Sequence, residues 1–131
     1  MTSELTPNGL HTITPYLVVN NVRNMITYLK KVYETESRGE IRYREDGTVR
    51  HAEIKIGDSV LMLAEPTIMV PPMPTMLYTY VANSDDTYRK AVSAGAMSVS
   101  EPRDHPHGDR CGAVKDVFGN IWWIAQKLRD R

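Results

Sequence analysis

His51 and Glu53 stand two residues apart in a run that alternates in strand fashion, so both side chains project from one face. A histidine beside a carboxylate is a usable proton-transfer pair when both face a cavity. Arg110, which follows Gly108-Asp109, carries a guanidinium whose fork suits a carboxylate or phenolate. Cross-strand salt bridges or solvated edge positions are the competing explanation for all three. His105 and His107, with Asp104 and Asp109 close by, form a second donor group. A lone His-x-His beside prolines reads more simply as solvated loop histidines. His11 precedes the first strand and points to solvent. Cys111, next to Arg110, reads as a packed, passive thiol.

What must position these residues is one domain's worth of chain. The sequence has 131 residues, 41% hydrophobic and 24% charged, the range of a single globular unit. Sixteen Lys and Arg balance sixteen Asp and Glu, so no cationic excess exists to hold a phosphate backbone, and nucleic acid is excluded as a partner. No apolar run approaches the roughly 20 residues of a membrane span, and Met1 to Gly9 is polar with no signal-peptide core. The expectation is a cytoplasmic protein without membrane contact. A single cysteine excludes an internal disulfide and a cysteine-built zinc site.

The chain repeats itself. Ile13 to Val19 reads as a strand and leads through Asn20 and Asn21 into a helix with apolar residues at Val22, Met25, Ile26, Leu29, Val32 and Tyr33. Met76 to Val81 reads as a strand and leads through Ala82 and Asn83 into a weaker helix, Ser84 to Ala94, capped by Ser84 and stopped by Gly95. Short strand-like runs follow each helix. They are Ser37 to Arg44, Val49 to Ile56 and Val60 to Ala64 in the first half, and Met97 to Glu101, Arg110 to Val117 and Ile121 to Gln126 in the second, with a long polar loop from Pro102 to Gly108. Val19 matches Val81 at an offset of 62 residues, and the same offset carries Thr14 to Met76 and Gly57 to Gly119. The expected fold is α+β, with an N-terminal tail at 1–10, a βαβββ module at 11–65, a proline-rich connector at 66–75 and a second βαβββ module at 76–131. A generic α+β domain with halves alike by chance is the alternative.

The string Ile13 to Val22 followed by an amphipathic helix, together with His51 to Ala64 and Gly108-Asp109-Arg110 through Asp116-Val117-Phe118-Gly119-Asn120-Ile121-Trp122-Trp123-Ile124-Ala125, resembles the vicinal oxygen chelate superfamily. That superfamily includes glyoxalase I, bleomycin-resistance proteins and extradiol dioxygenases, and the closest likeness is to its PhnB-like, glyoxalase-like branch. The likeness runs from about Leu10 to Lys127. It implies curved, barrel-like mixed sheets built from the two modules.

The resemblance also implies where a metal would sit, on the first and last strands of each module. Those positions fall on Thr14, Met76, Trp123 and either Leu61 or Met62. None is a hard-metal ligand, since threonine is a poor neutral donor, thioether sulfur prefers soft ions, and indole offers only an N–H. The expectation is no metal and no cofactor, a divalent metal on displaced ligands being the alternative, and glyoxalase I or dioxygenase activity is not expected.

By strand alternation and the family's cavity, Thr14, Tyr16, Met62, Met76, Tyr78 and Trp123 are expected to line a pocket for a planar or apolar ligand. Filling of the sheet core by the same side chains is the alternative. The turn at Asp116 to Asn120 is read as structural, and Trp122 and Trp123 as facing opposite ways. The overall expectation is a metal-independent homodimer that sequesters or processes an aromatic or apolar metabolite or antibiotic. The competing class is a lyase, isomerase or dioxygenase-like enzyme using His51, Glu53 and Arg110 or a displaced metal site.

Overall fold

The computed structural model describes residues 5–131. The elements run β1 (Tyr16–Val18), α1 (Val22–Val32), β2 (Thr35–Ser37), β3 (Arg42–Tyr43), β4 (Val49–Ile56), β5 (Ser59–Ala64), β6 (Met76–Tyr80), α2 (Ser84–Ser93), β7 (Met97–Asp104), β8 (Asp109–Lys115) and β9 (Ile121–Lys127). Two sheets result, with strand orders β1-β5-β4-β2 and β6-β9-β8-β7, and the short β3 pairs with β4. In each sheet the first strand lies parallel to the last, and the other pairings are antiparallel. The repeat seen in the sequence is therefore a repeat of topology. Two compact units contain the described residues, one running to Lys30 and over Glu34–Met73, the other Lys31–Tyr33 with Pro74–Arg131.

In the first unit Leu17 lies beside Leu63, and Leu63 beside Ala52, so one row of the sheet is fully buried. Burying a leucine side chain contributes about 1.5–3 kcal/mol. Helix α1 buries Val22, Met25, Leu29 and Val32, the three-and-four spacing of one helical face. Its start is held by two acceptors. The Asn21 side chain takes the Asn24 N–H at 3.0 Å, and the Glu65 carboxylate takes the Val22 N–H at 2.8 Å and the Val49 N–H at 2.8 Å, placing negative charge at the helix N-terminus.

In the second unit the buried row is Trp122 beside Val114, and the next is Ile124 beside Gly112. Asp116 organises the β8–β9 turn. Its carboxylate accepts the backbone N–H groups of Phe118 and Asn120 at 2.9 Å each, the Asn120 amide at 3.1 Å and the Trp122 indole N–H at 2.8 Å. Gly119 turns there at φ +92°, a left-handed conformation that a side chain opposes.

Four local expectations are corrected. Strand β1 starts at Tyr16, not Ile13, because Pro15 has no N–H to give, and its carbonyl opens the ladder by accepting the Met62 N–H at 3.0 Å. The run Ser37 to Arg44 divides into β2 and β3 around Gly39. Asn83, not Ser84, caps α2, for its side chain accepts the Asp86 N–H at 3.1 Å while Ser84 is already helical and donates its own N–H to Gln126 at 3.0 Å. Strand β7 continues through Pro102 to Asp104, since the register shifts between Ser98, Ser100 and Arg103 accommodate the proline as a bulge. Opposite that bulge, a Cβ on Gly112 would lie 2.8 Å from the Pro102 nitrogen, so only glycine allows the close approach.

Candidate functional site

The faces opposite the buried rows carry the chemistry. On the first sheet Tyr16 pairs with Met62, and Met62 with Glu53, one row across three strands. His51, two residues back on β4, shares that face. The Tyr16 hydroxyl lies 3.2 Å from His51 Nδ1, His51 Nε2 lies 2.8 Å from Glu53 Oε2, and Arg38 Nε donates to Glu53 Oε1 at 2.8 Å. These are four groups in one line of contacts. The His51 hydrogen bond, followed by that of Arg38, holds the Glu53 carboxyl below the usual carboxylate range. An open cleft of about 650 Å³ borders three of these groups, lined by Arg38, Gly39, Glu40, Arg42, His51 and Glu53, with Tyr16 reaching it through His51.

The second sheet repeats the row with different side chains. Tyr78 pairs with Trp123, and Trp123 with Ala113, so tyrosine is retained while an indole stands where the first sheet has a thioether. This register makes Met62, not Leu61, the counterpart of Trp123. The Tyr78 and Trp123 rings are stacked at 21° with centroids 6.4 Å apart, and Tyr80 lies 5.5 Å from Tyr78. Tyr78 is 44% exposed and Met76 63% exposed, so this face is open.

Beneath the rings sits Asp109, only 2% exposed. It accepts the Tyr78 hydroxyl at 2.6 Å and the Tyr80 hydroxyl at 2.9 Å, with His107 at 3.3 Å. The Tyr78 hydrogen bond is the largest influence keeping the Asp109 carboxyl low, and burial, reinforced by Asp109, pushes the Tyr78 phenol well above its ordinary value.

Arg110 does not join the ring-bearing face. Asp109 and Cys111 share that face with Trp123, so Arg110 points the other way, where it forks onto Asp85 of α2 at 2.8 and 3.1 Å and reaches Asp104 at 3.1 Å. Its guanidinium is committed to the protein's own carboxylates, which removes it as a ligand's anion holder. Thr14 lies upstream of β1. Cys111 is buried and free. Trp122 is buried against Tyr33, whose ring lies 5.7 Å away, while Trp123 faces the opposite side. Residues that the sequence reading passed over are Arg38, Arg42 and Tyr80. Extending the alternation of Met76 and Tyr78 by two residues reaches Tyr80, whereas the loop carrying Arg38 has no period to follow.

A family model for the Glyoxalase/Bleomycin resistance protein/Dioxygenase superfamily matches residues 9–124. The chain belongs to this superfamily. It is 28% identical over 132 residues to the uncharacterized protein Mb0911c of Mycobacterium bovis, covering 90% of this chain and 84% of the relative. A second relative, the uncharacterized protein Rv0887c of Mycobacterium tuberculosis, is also 28% identical, covering 90% of this chain and 75% of the relative. Among solved structures, TioX from Micromonospora sp. ML1 superposes with a TM-score of 0.70 at 20% identity, covering 92% of this chain and 99% of TioX. TnmS3 from Streptomyces sp. CB03234, an antibiotic binding protein, gives 0.69 at 18% identity, covering 89% and 95%. The superfamily fold, α+β with two curved and open mixed sheets, is the fold of this chain.

The resemblance drawn from the sequence would place metal donors at four positions of this chain. Thr14, Met62, Met76 and Trp123 supply a hydroxyl, two thioethers and an indole, a set that does not fit a hard divalent ion. Among the described residues no group of three or more His, Cys, Asp or Glu side chains gathers closely enough to hold one elsewhere. No described helix is long and apolar enough to cross a membrane.

Proposed function

We propose that this superfamily member binds a small planar or otherwise apolar molecule, a metabolite or an antibiotic, without a metal. The observation that carries the reading is the open ring face of the second sheet, where Tyr78 and Trp123 stack side by side with Met76 next to them. Planar ligands gain from stacking and area burial there, and a contiguous exposed apolar face on a soluble domain marks a binding surface. Tyr16 and Met62 give the first sheet a smaller surface of the same kind. That TnmS3, of similar fold, binds an antibiotic supports the same ligand class. A second copy of the chain is the proposed cover for these faces, in a two-fold homodimer, the commonest symmetry of soluble oligomers.

Titration with a panel of planar aromatic compounds, acridine and anthraquinone-2-sulfonate among them, tests this by tryptophan fluorescence. Saturable quenching supports the reading, and no response to any compound overturns it. An enzymatic reading is favoured by one separate observation, the 2.8 Å contact of His51 with Glu53 beside an open cleft.

A further inference from the structure

The contacts on the first sheet fix the direction of hydrogen bonding. Glu53, held ionised by its partners, can only accept, so His51 Nε2 donates to it. In the neutral imidazole Nδ1 then carries the lone pair, and it is Nδ1 that lies 3.2 Å from the Tyr16 hydroxyl. In that form the Tyr16 hydroxyl donates a hydrogen bond to His51, and its oxygen keeps its lone pairs for whatever enters. This is an oxygen nucleophile, a base, and a carboxylate that orients the base, the arrangement by which enzymes activate a hydroxyl. Arg38 fixes the carboxylate in turn. Tyr16 is 49% exposed, so the oxygen is reachable.

The charges around the cleft select a substrate. Arg38 is spent on Glu53. Glu40 and Arg42 also line the cleft, and among the described residues the Arg42 guanidinium makes no hydrogen bond or ion pair, with Glu40 or any other side chain. Arg42 is the direct cross-strand neighbour of His51. A free guanidinium beside the base suits a carboxylate or phosphate on the incoming molecule.

We propose that Tyr16 is a catalytic nucleophile, activated by the His51–Glu53 pair, and that its substrates are activated acyl compounds bearing an anionic group that Arg42 holds. The Tyr16 oxygen attacks the acyl carbonyl carbon and its proton passes to His51. The tetrahedral intermediate expels its leaving group, which takes that proton. Water then attacks the acyl-tyrosine with His51 as base, releasing the carboxylic acid and restoring the phenol. This chemistry lies beyond ligand binding on the second sheet and does not depend on it.

The test uses p-nitrophenyl acetate and mono-p-nitrophenyl glutarate on the intact chain, reading p-nitrophenolate release and, by peptide mass, the acylated residue. Tyr80 is the internal control, being 55% exposed against 49% for Tyr16. The expected result is acylation of Tyr16 ahead of Tyr80, lost in Tyr16→Phe and slowed by at least about 100-fold in His51→Gln, the usual scale for a general base. The glutarate ester reacts faster than the acetate in the wild type, and Arg42→Gln removes that preference, bringing the ratio of the two rates to about one. Circular dichroism confirms that each variant is folded, and Glu53→Gln provides a second way to disable the base. Tyrosine labelling in order of exposure, or a Tyr16 rate indifferent to both His51→Gln and Glu53→Gln, overturns the nucleophile. Equal rates for the two esters in the wild type overturn the anionic substrate class.

Discussion

Trp123 lies beside Tyr78 across the parallel β6–β9 pair, the two rings stacked at 21° with centroids 6.4 Å apart. The equivalent pair on the first sheet is Met62 beside Tyr16. Duplication has kept the tyrosine at both places and varied its neighbour, so the two faces present different chemistry on one backbone plan. The second offers stacked rings over a buried carboxylate. The first offers a phenol, an imidazole and a carboxylate in hydrogen-bonding sequence.

Only one of the two tryptophans is placed to report a ligand. Trp122 is 1% exposed with its indole N–H on Asp116, whereas Trp123 faces the open side. Quenching by a bound planar compound is expected to persist in Trp122→Phe and to vanish in Trp123→Phe. Fluorescence titration of the two variants checks this, and the reverse pattern contradicts it.

Acid should weaken the second sheet through Asp109. Hydrogen bonds from Tyr78, then Tyr80, hold its folded carboxyl below the ordinary value, while the unfolded chain takes up a proton near the usual aspartate value of about 3.9. The stabilisation is complete above that value and is lost as pH falls through the lowered folded one. Asp109→Asn is expected to flatten the loss of stability between about pH 5 and pH 3, measured by urea midpoints at each pH. Parallel curves for variant and wild type contradict the account.

Asp116 is 4% exposed and holds the β8–β9 turn. Asp116→Ala strands the Trp122 indole N–H and the Asn120 amide in the interior, and each orphaned donor costs about 1–3 kcal/mol. Urea unfolding is expected to show a loss of about 3 kcal/mol or more. A loss below about 1 kcal/mol contradicts the turn's role.

Gly112→Ala forces a Cβ to within 2.8 Å of the Pro102 nitrogen and the Ser100 carbonyl oxygen, both backbone atoms. Overpacking of this kind costs about 1–3 kcal/mol. The expected outcome is lower thermal stability, read by circular dichroism, and an unchanged melting temperature contradicts the close approach.

Much of this was legible in the sequence because a duplication constrains itself. The offset linking Val19 to Val81 predicted two equivalent topologies, and alternation along β6 and β9 put Tyr78 and Trp123 on one face. The Asp116 turn was legible too, since a carboxylate just before a glycine-containing turn has nearby N–H groups to accept. Arg110 was not. Its type and neighbourhood were clear, but on a strand a shift of one residue reverses the face, and nothing local says whether Asp109 or Arg110 turns toward the rings. Strand β7 was read too short because Pro102 looks like a break when the bulge that accommodates it depends on Gly112, ten residues on. Arg38 and Arg42 were missed because the segment joining β2 and β3 and the two-residue β3 itself are too short to carry a periodic pattern, and only the sheet register brings them to His51 and Glu53.

The most direct measurement is calorimetric titration of acridine into protein stripped with EDTA, wild type beside Trp123→Ala. The account predicts the same Kd before and after stripping and binding at least about tenfold weaker in the variant, the loss of roughly 1.4 kcal/mol of ring contact. Binding that disappears with EDTA and returns with a divalent ion, or binding unaffected by Trp123→Ala, would contradict it.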